Sequence, residues 1–226
     1  MQTVLLWLIA LSLFQQSRPG PMTRPQPGVW SARAAYAWPG LTAIADFPTG
    51  GRAIDVPSPD GSRVISIGDS YLIVRVASHP RRTIGSRIKI EDLLEVLWAP
   101  DSRAFAVTQS DGGWVGTWHV AVFQISSEAL NRVSVSEQVF LDFSRRRVRR
   151  LGNGCTSEEP NIGAVTWLNG SSRLILLAEA PPHSSDCDMG RVHGYMVDVP
   201  TGAVLAQYSV EDVRRLFGSS LGGRLR

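Results

Sequence analysis

From Val29 to about Ser209 the chain alternates short apolar runs with compact polar breaks, a rhythm of β-strands and tight turns rather than of helices. Three stretches of this region resemble one another. Val56-Pro57-Ser58-Pro59-Asp60-Gly61-Ser62-Arg63 runs into Val64-Ile65-Ser66-Ile67, and Leu97-Trp98-Ala99-Pro100-Asp101-Ser102-Arg103 runs into Ala104-Phe105-Ala106-Val107. Thr166-Trp167-Leu168-Asn169-Gly170-Ser171-Ser172-Arg173 leads in the same way into Leu174-Ile175-Leu176-Leu177. Each reads as strand, turn, strand: Pro presets φ, Asp or Asn closes the turn through its side chain, and Gly accepts positive φ. A third apolar run follows each hairpin, at Tyr71–Val76, Trp118–Phe123 and Gly194–Val199. A fourth closes each unit, most clearly Val204–Tyr208 after the Pro200-Thr201-Gly202 turn. Ser209-Val210-Glu211-Asp212 then has the form of a helix N-cap. A short helix is expected over 210–217, with Val213, Leu216 and Phe217 on one face and Gly218 as its stop.

The turn sequences Ser58-Pro59-Asp60-Gly61 and Trp98-Ala99-Pro100-Asp101-Ser102, with Asp198-Val199-Pro200-Thr201-Gly202, resemble blades of TolB-like β-propellers over about residues 50–209. The resemblance implies an all-β fold of four-stranded antiparallel blades, in which the first turn joins the first two strands and the last joins the final two. The third unit departs, with Asn169-Gly170 in place of Pro-Asp. The turns recur after about 41 and then 69 residues, and the excess falls at 141–161, expected to be a flexible insertion carrying an arginine run and Cys155. Three blades do not close a ring. The segment 29–47, with Trp30, Tyr36, Trp38 and Phe47, can supply part of a fourth; otherwise the stack stays open or another subunit completes it. An antiparallel β-sandwich fits the same alternation and remains the alternative fold.

The N-terminus predicts the compartment. Val4–Phe14 is an uncharged apolar run of signal-peptide length, too short for a membrane span, so residues 1–17 are expected to be a signal and 18–28 a Pro/Gly-rich linker. Membrane association is expected only through an uncleaved N-terminus. The folded β-repeat domain then spans 29–217, and 218–226 form a flexible tail. Two cysteines, Cys155 and Cys187, suit one disulfide in an exported chain. In the blade reading they lie on the segments entering and leaving the third hairpin, which emerge at the same end. A bridge there would be worth about 3–4 kcal/mol in the chain-entropy model.

Composition changes this picture little. Of 226 residues, 43% are hydrophobic and 19% charged, and the formal net charge of +3 hides a concentration of positive charge. Arg145, Arg146, Arg147, Arg149 and Arg150 contribute five positive charges, leaving the remainder slightly acidic, so a nucleic-acid ligand is not expected. The scarcity of lysine, with Lys89 alone, marks a GC-rich genome and a bacterial source. The arginine run is a candidate anion patch for phosphate, lipid head groups or acidic polysaccharide.

Four further features bear on possible chemistry. Glu158, Glu159, Asp186, Asp188 and His183 are candidate ligands for Ca²⁺ or a softer metal, or acid–base groups, if the disulfide gathers them. No cofactor is otherwise expected. Trp114 and Trp118 flank a glycine-rich loop as a candidate ligand platform. Gly218-Ser219-Ser220-Leu221-Gly222 matches the serine-hydrolase elbow in letters only, since a helix precedes it and no His follows. Asn169-Gly170-Ser171 is formally a glycosylation sequon, but Asn-Gly suits a hairpin turn better.

The expectation is therefore an exported, periplasmic or extracellular, non-enzymatic β-repeat protein that binds another protein or a surface polymer. The alternative is an exported glycan or peptide hydrolase using loop carboxylates.

Overall fold

The computed structural model describes residues 54–68, 70–90, 93–111, 116–152, 158–181 and 187–221. The signal, the linker and the 29–47 segment lie outside these residues, as do Trp114, Cys155, His183 and Asp186. Twelve strands form three antiparallel sheets. The first contains β1 (Ile54–Pro57), β2 (Arg63–Ile67), β3 (Tyr71–Val76) and β4 (His79–Lys89). The second contains β5 (Leu93–Trp98), β6 (Ala104–Ser110), β7 (Trp118–Ile125) and β8 (Leu130–Ser134). The third contains β9 (Asn161–Leu168), β10 (Arg173–Glu179), β11 (Val192–Asp198) and β12 (Val204–Tyr208). Each sheet is an up-and-down meander in chain order, as a blade requires.

All three expected turns join antiparallel strands. Asp60 closes the first by accepting from the Ser62 amide (2.9 Å) and the Ser58 hydroxyl (2.7 Å), and these bonds hold its carboxyl well below the usual range. In the third, a four-residue loop between paired Leu168 and Arg173, Asn169 (φ 51°) and Gly170 (φ 68°) both take the left-handed conformation that Asn and Gly tolerate best.

The sheets stack face to face, and strand alternation sorts their side chains. Ile65, Ile67, Leu72 and Val74 of the first sheet meet Phe105, Val107, Ala121 and Phe123 of the second. From the opposite face of the second sheet, Ala104, Ala106, Val120 and Val122 meet Trp167, Leu174, Leu176 and Tyr195 of the third. The third sheet's far face, with Val165, Ile175 and Leu177, is sealed by Val213, Phe217 and Leu221 near the C-terminus.

The junctions between sheets repeat at the sequence offsets of the turns. Trp98 donates its indole N–H to the Val56 carbonyl (3.2 Å), and Trp167 donates to the Leu97 carbonyl (3.0 Å). The Asp60 amide bonds the Ser102 hydroxyl (3.1 Å), and Asp101 accepts from the Ser171 amide (3.0 Å) at the corresponding pair of positions. A repeated contact between successive sheets means each sheet bears the same relation to the next. This favours blade stacking over the two-sheet sandwich.

Two helices complete the fold among the described residues. The expected C-terminal helix, α2 (Val210–Phe217), is capped by Ser209, whose hydroxyl accepts the Asp212 amide at 3.1 Å. Val213 is buried, but Leu216 is 49% exposed, so the face that docks is narrower than expected. The α-helix ends at Gly218 as expected, and a 3-10 turn over Gly218–Ser220 follows directly. α2 packs directly on Gly194 of β11, where a Cβ would clash with Val213 Cγ2.

The second helix corrects the sequence reading. The arginine run is not a flexible insertion but the last turns of α1 (Ser136–Leu151). Val139, Phe143 and Arg147 recur at four-residue steps and are buried on one face. Val139 and Phe143 enter the core between the second and third sheets. Ser136 pins the helix start to β7, accepting the Val120 amide (2.7 Å) and donating to the Val120 carbonyl (2.9 Å).

Candidate functional site

The buried stripe of α1 ends in a charge. Arg147, with 4% of its side chain exposed, donates from Nη2 to Asp188 Oδ1 (2.8 Å) and from Nη1 to the Glu158 carbonyl (3.2 Å). Arg150 binds the other oxygen of Asp188 at 2.6 Å. One turn earlier, Arg146 donates from Nε to Asp142 (2.6 Å), which holds its guanidinium still more firmly protonated than usual. Arg149 reaches the Arg145 carbonyl at 3.4 Å.

Opposite these arginines stand β11 and β12. His193 is half-buried, edge-on to Phe143, and accepts the Arg191 Nε at its Nε2 (3.3 Å). Burial, reinforced by Arg191, Arg150 and Arg146, pushes its pKa down, so the neutral ring is favoured. Burial also pushes the Tyr195 phenol up, and Gln207 donates to its oxygen at 3.4 Å. Arg146, Arg149, Arg150, His193 and Gln207 line a groove of about 380 Å³.

A second hollow, of about 400 Å³, lies on the face of the first sheet turned away from the core. Tyr71 and Arg75, four residues apart on β3, point to that face with Ile73, while Leu72 and Val74 point inward. Asp55, Ser66 and Arg75 form a polar chain there: Arg75 pairs with Asp55 at 2.9 Å, and Ser66 hydrogen bonds to both. Tyr71 is 47% exposed, with the Arg87 guanidinium 6.0 Å from its ring centre in a cation–π contact.

Several sequence candidates take other roles. Trp118 is fully buried with Val165, Ile175 and Val213, and its amide is bound by Asn161, so its ring offers no platform. Asp188 meets guanidiniums instead of carboxylates, with Arg147 standing between it and the Glu158 backbone. Glu158 and Glu159 are exposed. Among the described residues, no group of three metal-ligating side chains forms. The patch divides: Arg147 is buried, whereas Arg145, Arg146, Arg149 and Arg150 remain at the surface. Sequence reading missed both hollows. The signals were present in the four-residue steps of α1 and in the alternation of β3, where Tyr71, Ile73 and Arg75 share a face.

The described residues thus define a mostly β protein of three stacked four-stranded antiparallel sheets with two helices. No family model matches the chain, and no curated protein matches it. A solved structure described as "The structure of putative TolB from Agrobacterium tumefaciens" is similar at 10% identity with a TM-score of 0.34. The match covers 69% of this chain and 44% of that one, so the chain spans less than half of that protein's length. The likeness is loose. Among the described residues, no helix is long and apolar enough to cross a membrane.

Proposed function

We propose that this chain is an exported, non-enzymatic β-repeat module that binds another protein or a surface polymer through the outward face of its first sheet. The observation that carries the reading is the hollow bounded by Tyr71, Ile73, Arg75 and Arg87. Tyrosine and arginine are the residue types that dominate binding energy when a partner buries them. Here they sit on a β-sheet, whose backbone is already ordered and costs little to fix on binding. Arg87 over Tyr71 also fixes the ring.

Export to the periplasm or the extracellular space rests on the apolar run Val4–Phe14 and the even cysteine count. A Cys155–Cys187 bridge belongs to the same reading and is supported by the lack of a free cysteine among the described residues. The hydrolase reading gains nothing from the observed contacts, because Asp188 is occupied by two guanidiniums.

The test is affinity capture from the native envelope fraction with the parent protein, Tyr71→Ala and Arg87→Glu in parallel. A component retained by the parent should be lost from both variants while their thermal unfolding stays at the parental midpoint. Equal retention by all three would remove this face from the reading.

A further inference from the structure

The groove between α1 and the outer strands of the third sheet was described above by its contacts; its charge has a chemical consequence. We infer that it is a binding site for a phosphomonoester, with Arg146, Arg149 and Arg150 as the groups that receive the phosphoryl oxygens. This deepens, and rests on, the reading of the chain as a binding module.

Charge is the first argument. Arg146, Arg147, Arg149 and Arg150 are set against Asp142 and Asp188, which leaves two positive charges, and Arg191 adds another at the rim. Arg146, Arg149 and Arg150 fall at positions i, i+3 and i+4 of one helix, where like charges repel. The helix dipole answers Arg149 and Arg150 in the last turn but not Arg146, a turn earlier. A dianion in the groove offsets the two net charges and relieves the repulsion.

Preorganisation is the second argument. Asp142 holds Arg146 through Nε, and Asp188 holds Arg150 through one Nη2. A guanidinium has five N–H donors, so each keeps others for a ligand while its position is already fixed. Arg149 meets no carboxylate among the described residues, so its charge is available. A carboxylate brings one negative charge on two coplanar oxygens, whereas a phosphomonoester brings up to two charges on three oxygens spread in three dimensions, which suits three converging guanidiniums better. His193 and Gln207 form the far wall, and the remaining space accommodates the group that carries the phosphate.

The experiment titrates the full chain by calorimetry with glucose 6-phosphate, glucose and glucuronate, and by sedimentation with phosphatidic acid or phosphatidylcholine vesicles. Glucose 6-phosphate, phosphatidic acid vesicles or both should bind, which separates a soluble source from a lipid one; glucose and phosphatidylcholine should not. Arg149→Gln should weaken binding at least tenfold, and Arg149→Lys should recover part of the loss. Arg149 is exposed and, among the described residues, its side-chain hydrogen bond goes to a backbone carbonyl, so these variants keep the fold. Arg81→Gln on β4 should bind as the parent does.

NMR gives a site-specific readout through the His193 ring. The titratable groups around it are Asp142, Arg146 and Arg150 of α1, Arg191 and Tyr195 of β11, and Asp188. Saturating glucose 6-phosphate should move its titration to higher pH, because a bound dianion offsets the arginines that disfavour its proton. Glucuronate binding as tight as glucose 6-phosphate, no binding of either phosphomonoester, or an unchanged Arg149→Gln would each overturn the inference. An envelope component captured equally by the parent and Arg149→Gln, with no phosphomonoester bound, would refute the groove and leave the first-sheet reading intact.

Discussion

The first and second sheets share a turn, a strand order and a junction, yet they solve different packing problems. Aligned on their turns, Pro57, Val64 and Ser66 of the first correspond to Trp98, Phe105 and Val107 of the second, and to Trp167, Leu174 and Leu176 of the third. In the second and third sheets these positions carry the large groups that dock on the preceding sheet. In the first they are smaller or polar, and Ser66 bonds Asp55 and Arg75 instead. The second sheet is therefore apolar on both faces, and the first on one. End units of stacked repeats behave this way, replacing a docking face with one that tolerates water.

The sharpest way to break this comparison is to truncate one aromatic on each sheet. Phe105 is fully buried, with its ring centre 5.2 Å from Phe123 and 5.4 Å from Trp98. Phe105→Ala should cost about 3–5 kcal/mol, while Tyr71→Ala on the first sheet's outward face should stay within about 1 kcal/mol, as read by urea denaturation. Similar losses would mean the first sheet is covered on both sides.

The third sheet sharpens the contrast from the other end, where a helix stands in for a neighbouring blade. Gly194→Ala drives a methyl into Val213 and should cost about 1–3 kcal/mol. Hydrogen exchange should quicken in α2 and leave the amides of β2 and β3 unchanged. If exchange quickens equally in all three sheets, the end units are not separable in this way.

The smallest expected effect lies in the first turn. The folded state depresses the Asp60 pKa, so its contribution to stability is present above the unfolded value, about 3.9, and is lost as pH falls below it. Asp60→Asn should unfold more readily than the parent at pH 7, and the gap should begin to narrow below about pH 4 and go on narrowing as the pH falls toward the depressed folded-state value. A gap independent of pH would show that the carboxylate charge is not what closes the turn.

How much of this was legible in the sequence depends on the range of each signal. The strands and turns were readable because Pro-Asp, Asn-Gly and two-residue alternation act within a few positions. So was α2, whose cap Ser209 is three residues from the amide it binds. The first helix was hidden because its arginine-rich end outweighs the spacing of Val139, Phe143 and Arg147, and because Arg147 is buried only by virtue of Asp188, which lies beyond two strands. Trp118 had the composition of a surface aromatic, and nothing local reveals that Val213 and Leu221 return to cover it. The hollow on the first sheet was half visible: the alternation places Tyr71 and Arg75 together, but only pairing with β4 brings Arg87 over the ring.

The repeated tryptophan bond has a direction, since the indoles of the second and third sheets each reach back to a carbonyl of the sheet before. That polarity constrains how such a gene can lengthen by duplication. A copy of the second unit spliced in after itself would find an acceptor behind and present one ahead. A copy fused before the first unit would meet Pro57, which has no indole to offer, and one fused after the third would collide with α2. Among the described sheets, the tryptophan junction can be extended by copying the interior unit and is offered at neither outer face.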